Sequence, residues 1–361
     1  MNAGLKRAAF RAAIGAGALA TLPLRARDSR VAVFYGGAKA GQGGGPLVKV
    51  QLLQQRFPEY RVGYSLLYIL SGSIYLPQAV IERIQASGVP VVLNQNGVFY
   101  RRWYPKGWER ENARMAGVHA AADHVFYQSA FCRRCAELFL GPRNGPAEIL
   151  HNAVDTTHFV PAARNRPAGA TRFLLTGKIG PATAYRLMSS IEGIAYARRQ
   201  GLDVHLSVAG MIDRQVAAQA QSLAGRLGAE QALAYLGPYD FARAPSVYQT
   251  ADAYLITKHN DPCPNVVLEA MASGLPVLYS ASGGVPELVG DEAGIGLPVP
   301  ETFDDDPVPA PAALADGMAR IIALKEEMGA AARARAVASF ELRTWLDRHA
   351  DVFQRLVDAA A

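Results

Sequence analysis

Cysteine is scarce in this chain. The three present, Cys132, Cys135 and Cys263, are an odd number and build no disulfide framework. Cys132 and Cys135 form a C-x-x-C, but Arg133 and Arg134 lie between them and no second pair completes a zinc site. The seven histidines, at 119, 124, 151, 158, 205, 259 and 349, are scattered, so no metal site is expected; His119 and His259 are the two candidates for a ligand cleft. No apolar run reaches the roughly 18–20 residues that a bilayer span requires. Acidic residues are missing from residues 1–27, which hold Lys6, Arg7, Arg11, Arg25 and Arg27. This leader carries five of the six excess positive charges, leaving +1 for residues 28–361. A nearly neutral body excludes the basic face of a nucleic-acid binder, so no nucleic-acid partner is expected.

What is present is an ordinary globular composition, 50% hydrophobic and 19% charged over 361 residues, enough for two domains. The leader lacks a small-x-small cleavage site, and its basic, partly apolar character fits a segment resting on an anionic membrane surface. Arg30 to Tyr35 reads as a first buried strand, followed by a glycine-rich loop from Gly36 to Gly45 and a helix opened by Pro46. Strands at 64–70, 89–94 and 124–128 alternate with helical patterns at 77–86, 109–121 and 130–138. Residues 161–171 have the Pro, Ala and Gly content of a linker, and the alternation then restarts. Strands are expected at 172–176, 204–209, 234–236, 253–257 and 276–279, with two amphipathic helices closing the chain. Strand alternating with helix means parallel sheets covered on both faces. The expected organisation is a leader at 1–27, a first Rossmann-like domain at 28–160, a second at 161–335 and a closing helix at 336–361 that packs back on the first domain. Ligands in such sheets sit outside the strand carboxyl ends, so a cleft between two facing Rossmann-like domains is the expected site.

The most informative stretch runs from Asn260 to Gly284. Asp261 lies in a loop after a strand, and a helix starts near Pro264–Asn265 and stops at Gly274. Asn265 suits a cap and Pro264 a helix start. The amides of Asn265, Val266 and Val267 would then point from the helix N-terminus, where a phosphate binds well. Glu269, one turn in, is placed to offer a carboxylate to a ribose diol. A second glycine turn at Gly283-Gly284 leads into Val285-Pro286-Glu287, a second helix start. In the first half, the Gly36–Gly45 loop lets backbone approach a ligand closely. It is not a dinucleotide fingerprint, because Pro46 stands where the third glycine belongs. Phe99 to Arg114 interleaves five aromatic with five basic residues, a patch suited to anionic lipid or a pyrophosphate-linked acceptor.

Asp261 and Glu269, followed by Ala270-Met271-Ala272-Ser273-Gly274-Leu275-Pro276-Val277 and Gly283-Gly284-Val285-Pro286-Glu287, resemble glycosyltransferase family four, of the GT-B fold. His151-Asn152-Ala153-Val154-Asp155 with Phe159 and Pro161 is similar to the family's hinge motif. Gly43-Gly44-Gly45-Pro46 is similar to its loop after the first strand.

The resemblance implies a retaining, metal-independent transfer of a sugar from a nucleotide diphosphate sugar to a glycan or lipid-linked acceptor, with no bound cofactor. Apart from the resemblance, the cysteine usage fits a cytoplasmic protein, and the basic leader with the Phe99–Arg114 patch fits contact with the inner face of the membrane. Glu269 inherits the ribose contact and Asp261 the donor-sugar contact, one methylene shorter than the family's glutamate. Gly177-Lys178 stands at the first of two cation positions, Thr183 at the second, and Arg186 is the available substitute. Gly177, Pro264, Asn265, Val266, Val267 and Gly284 are the expected donor-binding residues, with Lys178, Asp261 and Glu269 as the catalytic set. Gly43, Gly44, Gly45 and Asn96 are expected at the acceptor or diphosphate loop. Two other classes remain open. A nucleotide-sugar 2-epimerase would interconvert donors, and a non-catalytic sugar-nucleotide sensor would bind without turnover.

Overall fold

The computed structural model describes residues 3–25, 28–41, 45–163 and 169–361. These divide into two compact units, one of Met1–His151 with Arg343–Ala361 and one of Asn152–Leu342. The first unit contains α1 (Ala3–Thr21), β1 (Val33–Phe34), α2 (Gly45–Leu53), β2 (Leu66–Leu70), α3 (Gln78–Ala86), β3 (Val91–Gln95), α4 (Trp108–Ala121), β4 (His124–Tyr127), α5 (Ala130–Leu140) and β5 (Ala147–Ile149). Its described strands form a parallel sheet in the order β1-β2-β3-β4-β5. Val33 bridges Glu59 on one side of β1 and pairs with Leu66 on the other. The strand order therefore reverses at β1, and the carboxyl ends of β1 and β2 mark a switch point. Phe34, Leu67, Ile69, Leu93 and Val125 build the core on these strands.

The leader is part of this unit. α1 sets Ile14 and Ala18, with Leu22 just beyond, against the unit's core, and the Tyr64 hydroxyl donates to the Ala18 carbonyl at 3.2 Å. Phe10 meets Tyr75 edge-on, with ring centroids 5.4 Å apart. Part of the face that the sequence reading laid on a membrane is thus covered by protein, because burying Ala18 and Leu22 removes apolar surface from water without any lipid. No helix among the described residues is long and apolar enough to cross a membrane.

The second unit contains β6 (Thr171–Thr176), α6 (Ala184–Arg199), β7 (Val204–Ala209), α7 (Arg214–Arg226), β8 (Leu233–Gly237), α8 (Ala244–Tyr248), β9 (Ala253–Ile256), α9 (Asn265–Ala272), β10 (Val277–Ala281), α10 (Val285–Val289), β11 (Gly294–Pro298) and α11 (Pro311–Ser339). Its described strands pair in parallel in the order β11-β10-β9-β6-β7-β8. Read from β8, this is the 3-2-1-4-5-6 order of a doubly wound sheet, with its switch point between β6 and β9. The last helix, α12 (Leu342–Ala360), returns to the first unit. There its His349 and Phe353 are fully buried against Tyr68.

The boundary falls at His151/Asn152, ahead of the expected linker, whose residues 164–168 lie outside the described residues. Residues 152–161 are tied into the second unit. Arg333 donates to the carbonyls of Thr156 and Phe159 at 2.9 and 2.8 Å, and Phe159 is buried in that unit's core. The Asp155 carboxylate accepts from the amides of Thr157 and His158, which closes the turn that delivers Phe159.

Candidate functional site

In the second unit the switch point puts Gly177-Lys178 after β6 and Thr257-Lys258 after the neighbouring β9. Gly177 has φ +120°, and its backbone runs so close to Gly210 that a Cβ there would collide with the Gly177 carbonyl. Lys178 is exposed at this end of the sheet. Arg186 on α6 is 4% exposed and donates to the Thr176 carbonyl at 3.2 Å, with its guanidinium bordering Gly177. Its backbone carbonyl accepts from the Thr257 hydroxyl, linking the two strand ends. Thr183, where the resemblance sought a second cation, accepts instead from the Gly180 amide and closes a 3-10 turn.

Glu269 stands on α9, half-buried. The Tyr248 hydroxyl donates to its Oε2 at 2.6 Å. A carboxylate only accepts, so the donors behind it run one way: Tyr254 to Thr176 at 2.8 Å, Thr176 to Tyr248 at 3.3 Å, Tyr248 to Glu269. Burial pushes the Glu269 carboxyl above its ordinary pKa, against the lowering effect of the Tyr248 hydrogen bond. Oε1 has no hydrogen bond among the described residues. Sequence reasoning missed Tyr248, which lies 21 residues from Glu269 with no motif between them to mark the pair.

Asp261 is held on both oxygens. Lys258 donates to Oδ2 at 2.7 Å and the Cys263 amide to Oδ1 at 3.2 Å. Lys258 was also missed, although it stands just past the end of β9 and three residues before Asp261. Asn260, at φ +51°, turns the chain here, and its side-chain amide donates to the Thr302 carbonyl. Gly283, at φ +68°, packs directly on the Asp261 backbone, where a Cβ would strike the Asp261 carbonyl.

Three sequence expectations change in detail. Pro264, not Asn265, holds the cap position of α9, and Asn265 is its first residue, accepting from the Asn152 side chain at 2.7 Å. The Val267 amide is already bonded to the Pro264 carbonyl at 3.1 Å, which leaves the first-turn amides of Asn265 and Val266 without a helical acceptor. The Gly284 amide donates to the Asp261 carbonyl at 2.9 Å, so the second glycine turn braces the Asp261 loop.

In the first unit, Gly43 and Gly44 lie outside the described residues, and Gly45 is the exposed first residue of α2. Asn96 follows β3; its amide donates to the Ser71 hydroxyl at 2.9 Å, and its Oδ1 has no partner among the described residues. His119 is buried, within 2.7 Å of the Tyr127 hydroxyl, and burial lowers its pKa to about 4. His259 is buried between Ser282 and the Thr302 carbonyl. Both hold structure. Cys132 and Cys135 are buried thiols on α5, and among the described residues no histidine, cysteine or acidic cluster could hold a metal ion.

Comparison with known proteins gives three likenesses. The D-inositol 3-phosphate glycosyltransferase of Saccharomonospora viridis is 33% identical over 174 residues, 47% of this chain and 38% of that protein. The chain thus spans well under half the length of that curated relative. Among solved structures, the sucrose-phosphate synthase of Thermosynechococcus elongatus superposes with TM-score 0.64 at 20% identity, covering 87% of this chain and 78% of that one. Anabaena HepE in complex with UDP-glucose gives 0.62 at 18% identity, covering 86% and 82%. These likenesses identify the fold as GT-B, two α/β units each built on a parallel sheet. Residues 182–335 match the model for glycosyl transferases group 1, a span that takes in Arg186, Lys258, Asp261 and Glu269.

Proposed function

We propose that this chain transfers a sugar from a nucleotide diphosphate sugar to a glycan or lipid-linked acceptor, with retention at the anomeric carbon and without a metal ion. The observation that carries the reading is Glu269: one carboxylate oxygen is clamped by Tyr248 and the other is open, on the helix that follows a switch-point strand. In this reading the open oxygen accepts from the ribose diol. Lys178 and Arg186, at the β6 end, balance the diphosphate, and charge developing on that leaving group is stabilised by groups already in place. Asp261, oriented by Lys258, accepts from a hydroxyl of the donor sugar. Asn265 and Val266 offer first-turn amides to phosphate oxygens. The HepE complex with UDP-glucose, on the same fold, supports the donor class.

The test is a thermal-shift panel with UDP, GDP, ADP and CMP on the wild type and on Glu269→Gln. A ligand at 100-fold its Kd stabilises by about 2.7 kcal/mol, and each kcal/mol moves the midpoint by roughly 2–4 °C in a domain of this size. The expected result is a shift with one diphosphate that disappears in Glu269→Gln, and release of that diphosphate from its sugar donor during turnover. Equal shifts in both proteins would remove Glu269 from the donor site. Donor interconversion in place of diphosphate release would establish epimerase chemistry instead.

A further inference from the structure

The leader helix has a second face that the core does not use. Ile14 and Ala18 turn the first face inward, and a Cβ on Gly15 would lie 3.3 Å from Pro77, so α1 packs closely and its rotation is set. On the opposite side Leu5, Ala9, Ala12, Ala16 and Leu19 recur at i, i+4, i+7, i+11 and i+14, and every one is exposed. Leu5 is 60% and Leu19 40% exposed, and Leu24, just past the helix, is 63% exposed. No charged residue stands between Ala12 and Leu24. A surface helix ordinarily turns its polar residues outward, and a contiguous exposed apolar face marks an interaction site.

A second element lies beside it. The loop that leads into α4 exposes Arg101, Trp103, Tyr104 and Lys106, with Arg110 exposed on the first turn of the helix. Tyr104 lines one depression with Tyr75, the ring that Phe10 of α1 meets edge-on, so the loop and the helix are neighbours. Lys39, also exposed, stands over the Phe10 ring at 5.8 Å. Tryptophan and tyrosine, with an apolar body and a polar edge, favour the boundary between water and lipid. Glu109 is the only acid from residue 99 to 110, and residues 1–27 have none.

Charge chooses the occupant. A second copy of this chain would bring the exposed Lys6 and the loop cations against their own kind, with no acid on the leader to meet them. An anionic bilayer surface meets the apolar face and its basic margin together. No described helix is long and apolar enough to cross a membrane, so α1 would lie in the plane of the surface. We infer that the first unit docks on an anionic lipid surface, with the outward face of α1 in the headgroup layer and the Trp103–Tyr104 loop beside it. The inference stands independently of the transferase reading.

The experiment is co-sedimentation of the full chain with vesicles of phosphatidylcholine alone and of phosphatidylcholine containing phosphatidylglycerol. Binding is expected with the anionic vesicles only, and is expected to weaken as salt is raised. Each cation near such a surface is worth about fivefold in binding, so Arg101→Glu with Lys106→Glu is expected to weaken it at least twentyfold. Leu5→Glu with Leu19→Glu, both on the exposed face, is expected to weaken it at least tenfold with the melting point unchanged. Should that protein melt early, Trp103→Ala is the second variant, with at least a fivefold loss expected. Absence of sedimentation, or equal sedimentation with both kinds of vesicle, overturns the inference. Binding that falls with the charge reversals but ignores the leucine and tryptophan changes also overturns it, since charge alone would then hold the protein without this face. A dimer in sedimentation equilibrium that Leu19→Glu dissolves, with no vesicle binding, would make a second copy the occupant. Vesicle binding without any nucleotide-induced thermal shift leaves this surface standing and removes the transferase reading; the opposite pair of results does the reverse.

Discussion

At the scale of single residues, two groups whose pKa is shifted by burial carry opposite pH signatures. Glu269 has a raised pKa, so between its unfolded and folded values the native state binds the extra proton, and stability falls as pH rises through that window. Glu269→Gln is therefore expected to melt no lower than the wild type at pH 7 without ligand, a result that calorimetry reads directly. His349 behaves the other way. Buried against Tyr68 and the Trp345 carbonyl, it has its pKa lowered to about 3, so the unfolded chain takes up the proton first. Stability is fully present above the unfolded value of 6.5 and is lost as pH falls towards 3, by an amount on the order of a few kcal/mol. Urea denaturation at pH 7 and pH 5 is expected to show this loss in the wild type and a smaller one in His349→Gln. For the donor site, Lys178→Ala and Arg186→Met are expected to separate. The exposed lysine should change turnover of the sugar donor tenfold or more with the melting point intact. The buried arginine should also lower the melting point, because its removal leaves the Thr176 carbonyl without that donor.

At the scale of elements, the strands were legible because their runs are fully buried and rich in Val, Leu, Ile and aromatic residues; β2, β3, β4 and β9 are buried at every position. Short elements with exposed or mixed faces escaped. β5 spans three residues of which none is buried, and α8 is five residues with Pro245 in its first turn. α1 escaped for a different reason. Its basic residues and alanines fit a surface-bound segment as well as a packed helix, and only the tertiary partners Tyr64, Tyr75 and Pro77 decide between them. Of the candidate site, the Asp261–Glu269 pair was legible from spacing. The groups that orient it, Tyr248 and Lys258, were not, because hydroxyl and ammonium contacts leave no periodic trace. The glycine turn beneath Asp261 is the element-level test. Gly283→Ala places a methyl against the Asp261 carbonyl on a left-handed backbone, and a loss of about 1–3 kcal/mol is expected. Loss of nucleotide binding at temperatures where the variant remains folded would show that the loop, rather than the whole unit, has shifted.

At the scale of the whole molecule, the chain passes from the first unit into the second after His151 and returns at Arg343. Scanning calorimetry is expected to resolve two transitions, with a nucleotide diphosphate moving only the one that belongs to residues 152–342; one indivisible transition that moves as a block would contradict this. The return also has a consequence for the order of events during synthesis. Domains ordinarily fold in the sequence in which the ribosome makes them. Here the first unit must wait, since Tyr68 and Phe126 on its sheet are covered by His349 and Phe353, which are made after the whole of the second unit. The second unit is complete well before that, so the half begun first is the half finished last. A nascent chain stalled short of α12 leaves an uncovered sheet face, the kind of surface that chaperones hold and that aggregates recruit.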